Sequence, residues 1–325
     1  MVLFIHRTFS GIILLLAILI ITHDPVSAWG FYGHRKINAM AVFALPAPLF
    51  GFYKQNYDHV VALAVNPDKR RYAVEGEAEC HYIDLDHYGS SPADSVIRNW
   101  TEACNVFGED ELRAHGIVPY KINWVYHSLL KAFVNNDIKK IIRLSADLGH
   151  YIADAHVPLH CTSNYNGQKT GQYGIHGLWE SRIPELFAGS YTNLVDEVEY
   201  ISEVDQVVWQ TVFDSYELVD KVLYLERMVD ASVIPSMKME HEIRNERVVR
   251  TFSAHYASEY HEALDGMVER RWRKSIHTIS SFWYSAWVDA GQPDLTPQEF
   301  EPGLSDTVIT VAPEMMGKQL HGHTD

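Results

Sequence analysis

The sequence is poor in several features that define common classes of protein. It has only three cysteines in 325 residues, too few for a disulfide scaffold, and the odd number leaves at least one thiol unpaired. Its 27 basic residues face 42 acidic ones, and the net charge of −15 argues against capture of nucleic acid or anionic membrane by the whole surface. An anionic substrate would therefore need a local source of positive charge, either bound metal ions or an arginine cluster.

The first 28 residues have the organisation of a signal peptide. Arg7 gives a charged start, an apolar run follows over 12–21, and small residues at 26–28 form a cleavage site. The run is shorter than the ~20 residues that a spanning helix needs, so we expect export (secretion or release to a periplasm) without a membrane anchor. An uncleaved anchor is the alternative. Cleavage after Ala28 would make Trp29 the first residue.

Helical periodicity dominates the chain, whereas the alternating runs typical of strands are scarce. Pro119 is expected in the first turn of a helix whose apolar residues recur every three or four positions. Asn136 or Asp137 is expected to cap the next helix. Aromatic and apolar residues from Phe252 to Trp287 predict further long helices.

A hydrophobic fraction of 47% indicates a packed core, and no linker or internal repeat divides the chain. Residues rich in proline, glycine and acids follow residue 291. The sequence therefore predicts one compact, mainly α-helical domain over 29–292 and a loosely ordered tail over 293–325.

Two histidine–carboxylate pairs have the i, i+4 spacing that places both side chains on one helix face: His150 with Asp154, and His176 with Glu180. Pro158 should end the first of these helices and turn His160 towards a different point. Imidazoles with carboxylates suit zinc in a hydrolytic site, whereas a surface salt bridge is the simpler interpretation of any single pair. His156 is expected to support the site or the core rather than bind metal.

Two other stretches add candidate ligands. "WGFYGH" places His34 five residues after Trp29, whose free amine and carbonyl would form a chelating pair after cleavage. The stretch from 66 to 88 offers five further side chains: Asp68, His81, Asp84, Asp86 and His87. Their local pattern does not select among them. The adjacent basic residues, Lys69 to Arg71, could contact phosphate or form a solvated face.

Taken in order, "WGFYGH", "PDKRR", "CHYID", "GHYIADAHVPLH" and "HGLWE" resemble the superfamily of zinc-dependent phospholipases C and zinc-dependent single-strand nucleases. These motifs cover 29–180, about half of the mature chain, and the remainder matches only as generic helices. The H-x3-D-x5-H element followed by H-x3-E, with Trp-Gly at a cleavage site, is the specific part. The resemblance implies a mainly α-helical fold with a cluster of three zinc ions.

The resemblance also implies which residues hold each of the three zinc ions. One zinc would be held by four side chains: Asp68, His81, His150 and Asp154. A second would be held by His160, His176 and Glu180, with Asp68 near or bridging both ions. A third would use the amine and carbonyl of Trp29 together with His34 and Asp154. His156, Asp84, Asp86 and His87 fall at supporting positions.

The family chemistry that follows is phosphodiester hydrolysis by a zinc-activated water, with Asp68 orienting that water or accepting its proton. The nuclease branch usually carries Gly-Gly-Asn before an Asn-Leu-His segment that ends in Asp. Here the sequence is "NYNGQKTGQYGIHGLWE", with Ile175 before the histidine and Glu180 at the end. We therefore expect a phospholipase C-like enzyme acting on phospholipid, with single-stranded nucleic acid as the alternative substrate.

An alternative function and the pairing of two cysteines stay open. An exported zinc-binding protein without turnover would carry the same ligands, although the complete set does not indicate decay of an active site. Cys80 and Cys161 each adjoin a predicted ligand, and a bridge between them is compatible with export.

Extending the mature chain tests the predicted role of Trp29. One additional residue before Trp29 should abolish chelation by the amine, because that nitrogen would become part of a peptide bond. We expect the loss of one of three zinc ions and of much of the activity, measured by metal analysis beside the variant that begins at Trp29. Unchanged zinc content would remove the N-terminus from the site.

Overall fold

The structure, a computed structural model, describes residues 30–244 and 246–295, and this part of the chain is mainly helical. The helices of the first half are α1 (Gly30–Ala44), α2 (Ala47–Gln55), α3 (Tyr57–Leu63), α4 (Asn66–Arg70), α5 (Pro92–Ser95), α6 (Trp100–Phe107), α7 (Glu109–Ala114), α8 (Val118–Val134) and α9 (Ile138–Ala155). Short 3-10 turns lie at Ala78–His81, Leu85–Tyr88 and Pro158–Cys161. The predicted signal peptide, Trp29 and most of the predicted tail lie outside the described residues.

The second half continues the helical architecture and adds one hairpin. Its helices are α10 (Ile175–Gly177), a π-helical turn (Leu178–Arg182), α11 (Ile183–Phe187), α12 (Val204–Tyr216), α13 (Val219–Ser232), α14 (Ala254–Ala263) and α15 (Met267–Asp289). A 3-10 turn at Pro235–Met237 precedes strands β1 (Met239–Arg244) and β2 (Arg247–Phe252).

Helices α8 and α9 form the central pair, and their boundaries follow from local sequence. Pro119 lies in the first turn of α8, as predicted, where its missing N–H is not needed. Asp137 caps α9 by accepting a hydrogen bond from the Lys140 backbone N–H at 3.2 Å. Helix α9 ends at Ala155, and Pro158 begins the next 3-10 turn. The predicted change of direction before His160 is therefore confirmed.

Helix α15 packs against α1, α8 and α9 and closes the core. Trp283 on α15 stacks on Tyr53 of α2, with ring centroids 4.8 Å apart, and its indole N–H donates to the carbonyl of Ser145 on α9. The Tyr53 hydroxyl donates to Ser145 Oγ at 2.7 Å, because that serine hydroxyl donates to the Ile141 carbonyl. These contacts satisfy three buried polar groups while joining three helices.

The hairpin corrects the predicted helix at Phe252. Phe252 ends β2 and pairs with Met239 of β1, and the next helix begins only at Ala254, with Ser253 as its cap. Burial alternates along both strands, which fits a hairpin with one face against the domain. The rest of the aromatic run lies in α14 and α15, as predicted.

The packed domain continues slightly past residue 292. The indole N–H of Trp287 donates to the carbonyl of Pro293 at 3.0 Å, and Leu295 is buried against the core.

Among the described helices, none combines the length and apolarity needed to cross a bilayer.

A glycine allows the close approach of α1 and α9. A Cβ on Gly149 would lie 2.2 Å from Oδ1 of Asn38, whose amide in turn donates to the carbonyl of His34. We expect Gly149→Ala to lower the free energy of unfolding by about 1–3 kcal/mol through overpacking, measured by urea denaturation. The matched control is Gly51→Ala on an exposed helix face, where no atom lies within 4 Å of the added methyl. That variant should be neutral or slightly stabilised, and equal stability of the two variants would contradict the steric argument.

Candidate metal centre

Five predicted ligands from four separate elements meet in the core. They are His34 on α1, Asp68 on α4, His81 in a 3-10 turn, and His150 and Asp154 on α9, and each is at most 1% exposed. Of the five candidates between 66 and 88, the structure therefore brings only Asp68 and His81 into this cluster.

The donor atoms around Asp154 lie at the spacing of metal ligands. Its Oδ2 is 2.9 Å from His81 Nδ1 and 3.2 Å from His150 Nε2, and those two nitrogens are 3.1 Å apart. Donor atoms that share a tetrahedral zinc at its usual bond lengths are about 3.4 Å apart. Asp68 Oδ1 completes the group at 3.7 Å from His150 Nε2 and 3.9 Å from His81 Nδ1.

Asp154 also faces a second direction. Its other oxygen, Oδ1, lies 3.3 Å from His34 Nε2, and the His34 ring stacks on that of His150 at 3.8 Å between centroids. His34, His150 and Asp154 thus form another group of donors that could hold an ion. A carboxylate with one oxygen in each of two adjoining groups has the geometry of a bridge between ions.

A further buried group forms where the chain bends after α9. Oε2 of Glu180 is 3.1 Å from Nε2 of both His160 and His176. Glu180 lies in the π-helical turn, which widens the helix yet keeps the predicted pair on one face. His160, His176 and Glu180 together could hold an ion.

Backbone carbonyls fix which nitrogen of two histidines faces each group. His150 Nδ1 lies 2.9 Å from the carbonyl of Ala64, and His160 Nδ1 lies 2.6 Å from the carbonyl of His81. A carbonyl only accepts, so both Nδ1 atoms carry hydrogen and both Nε2 atoms present a lone pair when the ring is neutral. This arrangement is typical of metal-binding histidines.

The cluster leaves buried polar atoms without ordinary hydrogen bonds. Within the described part of the chain, this applies to Nδ1 of His34, Oδ1 of Asp154 and Oε1 of Glu180. Each such atom costs free energy unless another partner compensates the loss of water. Cations bound between the imidazoles and carboxylates would compensate the two carboxylate oxygens, so the donor set fits metal ions.

Burial and charge act oppositely on the histidines. Burial, assisted by the nearby His150 charge, lowers the pKa of His34, and burial lowers the pKa of His81 to about 4. Burial would also lower the pKa of His150, but the charges of Asp154 and Asp68 outweigh it and raise that pKa to about 9. Without metal, the His150 imidazolium therefore provides positive charge beside Asp154, and a metal ion would have to displace its proton.

The carboxylates of Asp154 and Glu180 remain ionised despite their burial. Burial alone would raise the pKa of Asp154, but the charges of His150 and His160 hold it well below its usual range. The pKa of Glu180 is likewise lowered, because His176 and His160 outweigh the effect of burial. The groups therefore present anionic oxygens to any bound cation.

The remaining predicted residues lie outside these groups. His156 is buried with Nδ1 directed at the carbonyl of Ile152, which matches its predicted supporting role. Asp86 accepts from the backbone N–H of Ser163 at 2.8 Å and so holds the loop that follows His160. Asp84 contacts His115, and His87 lies near Glu111, both away from the buried centre.

The basic run is not simply a solvated face. Arg70 pairs with Glu77 and Asp147, each at 3.1 Å, and Arg71 is buried 4.0 Å from Asp68 Oδ1. Sequence patterns did not indicate this position of Arg71, although i, i+3 spacing from Asp68 on one helix was an available signal. The orienting carbonyls of Ala64 and His81 had no sequence signal.

All three cysteines are free thiols, so Cys80 and Cys161 do not pair in this structure. Burial raises the pKa of the Cys80 thiol to about 11 and that of Cys161 to about 12. Both therefore remain protonated at neutral pH and are poor metal ligands.

A scan against protein-family models finds no match to the chain, and a comparison with curated proteins finds none either.

Removal of Asp154 should disturb the centre more than removal of a neighbouring histidine. We expect Asp154→Ala to lower bound zinc by at least one ion per chain, measured by elemental analysis, because its two oxygens face two donor groups. His156→Gln, a buried change on the same stretch of chain, is the matched control and should retain the full metal content. Equal zinc content in Asp154→Ala and the unaltered protein would exclude the carboxylate as a ligand.

Proposed function

We propose that the chain is an exported zinc-dependent phosphodiester hydrolase with phospholipase C-like activity. The observation that carries this proposal is the presence of three buried imidazole–carboxylate groups, two of which share His150. Buried ionisable clusters with perturbed pKa values are more typical of functional sites than of an ordinary core. Export rests on the predicted signal peptide alone.

The donor chemistry supports zinc over hard cations. Imidazole nitrogens are the main donors of the described groups, which contain no thiolate and few carboxylates. Hard cations such as Mg²⁺ prefer oxygen donors and therefore fit these groups poorly. One zinc would be held by Asp68, His81, His150 and Asp154, and a second by His160, His176 and Glu180. A third would be held by His34 and Asp154 with the amine and carbonyl of Trp29.

Bound zinc would supply Lewis-acid stabilisation of the phosphodiester and acidify an attacking water. Asp68, by its position in the family motif, would receive the proton of that water. Its Oδ1 faces His150, its Oδ2 lies 4.0 Å from His34 Nε2, and the whole carboxylate is buried. Arg71, 4.0 Å from Oδ1, would help to orient it. Burial strengthens each of these electrostatic interactions because water no longer screens them.

The charge distribution favours a small phosphodiester headgroup over a long polyanion. A net charge of −15 opposes the approach of nucleic acid, whereas one phosphodiester needs only the local positive charge that bound zinc would supply. The ring of Tyr165 lies 5.7 Å from that of His176 and provides an aromatic wall beside one donor group. Glu180 in place of aspartate and the absence of Gly-Gly-Asn support the same choice.

A paired substrate assay tests this proposal. We expect zinc-loaded protein to hydrolyse short-chain phosphatidylcholine faster than single-stranded DNA at matched phosphodiester concentration. A strong preference for DNA would establish the nuclease alternative instead. No hydrolysis of either substrate by protein with two or more bound zinc ions would support the non-catalytic zinc-binding alternative.

The same assay tests the role of Asp68. Asp68→Asn should lower kcat by about 10²–10⁴-fold, because the amide cannot accept the proton. Asp58→Asn, on the exposed face of α3, is the matched control and should retain full activity. Full activity of Asp68→Asn with unchanged zinc content would exclude Asp68 as the base.

A further inference from the structure

A second cluster of potential ligands lies at the surface, outside the buried centre. Its members are His87 in the 3-10 turn Leu85–Tyr88, Glu111 on α7 and His115 directly after α7. Their side chains are 34%, 53% and 26% exposed, respectively. The sequence singled out His87, but only the fold brings it to Glu111 and His115.

The two imidazoles lie near the same carboxylate oxygen. Glu111 Oε1 lies 3.3 Å from His87 Nε2 and 3.4 Å from His115 Nε2. The rings are stacked, with centroids 3.4 Å apart and planes within 14°. Both Nε2 atoms therefore lie within 3.4 Å of one carboxylate oxygen, which brings two nitrogen donors and one oxygen donor close together.

Asp84 orients His115 so that its Nε2 faces Glu111. Its Oδ2 lies 3.3 Å from His115 Nδ1, and its backbone N–H donates to the His115 carbonyl at 2.7 Å. The Asp84 side chain is only 8% exposed, so its position is fixed by packing. A carboxylate at Nδ1 leaves Nε2 as the donor to metal, which is the arrangement that raises ligand basicity in metal sites.

We propose that His87, Glu111 and His115 bind one transition-metal dication, such as zinc, in a surface site separate from the buried centre. Two imidazoles and one carboxylate select zinc, copper or nickel over magnesium and calcium. Three protein ligands leave at least one coordination position open to water or another ligand. Because the rings are partly exposed, they can turn from their stacked arrangement to direct both lone pairs at one ion. This site does not depend on the proposed hydrolase function.

Zinc counting on the full mature protein tests the site. Equilibrium dialysis against stepwise zinc chloride should reveal one ion beyond those of the buried centre. His87→Ala and His115→Ala should each weaken binding of this ion at least tenfold, and Asp84→Asn should weaken it about tenfold through loss of the orienting charge. Asp154→Ala should leave it unchanged, which separates this site from the buried centre.

The matched control is His255→Ala. His255 and Glu259 form an exposed i, i+4 pair at 3.9 Å, yet the described part of the chain brings no third donor to them. This variant should retain the additional zinc. Circular dichroism of every variant verifies that the helical fold persists. Survival of the additional ion in both His87→Ala and His115→Ala, or its absence from the unaltered protein, would overturn the proposal.

Discussion

The fold depends on how it accommodates the buried charge of Asp154. A carboxylate with no exposure is stable in a protein core only if cationic or hydrogen-bonding groups surround it. Three histidines perform this function: His34, His81 and His150, whose nearest nitrogens lie 2.9–3.3 Å from the carboxylate. Each comes from a different element, so the electrostatic requirement of one side chain determines how α1, the first 3-10 turn and α9 meet.

Helix α9 is suited to this position because most of its surface is buried. From Ser145 to Ala155 every residue is buried, and the helix packs against α1, α3, α8 and α15. Gly149 allows α1 to approach closely enough for His34 to reach Asp154. Donors carried on packed helices are positioned more rigidly than donors carried on loops. This explains how a cluster with unsatisfied polar atoms persists inside an otherwise apolar core.

Sequence patterns predicted the features that depend on neighbouring residues. Helix α8 with Pro119, the Asp137 cap and the two i, i+4 pairs are local, and all are present. The hairpin at 239–252 was not predicted, because its alternation is short and its inward face is largely charged. Glu240 and Glu242 on that face bind Arg182, a partner nearly sixty residues earlier in the chain. Interactions at such separation leave no periodic signal.

One short segment connects the buried centre with the surface cluster. His81 begins it within the buried candidate metal centre. The Ile83 N–H donates to the carbonyl of His160 at 2.9 Å, and Asp84 Oδ2 lies 3.3 Å from His115 Nδ1. His87 ends it at the surface. Local patterns could not distinguish the roles of the histidines and acids between 81 and 87. The fold distinguishes them, because one end of the segment faces the core and the other faces solvent.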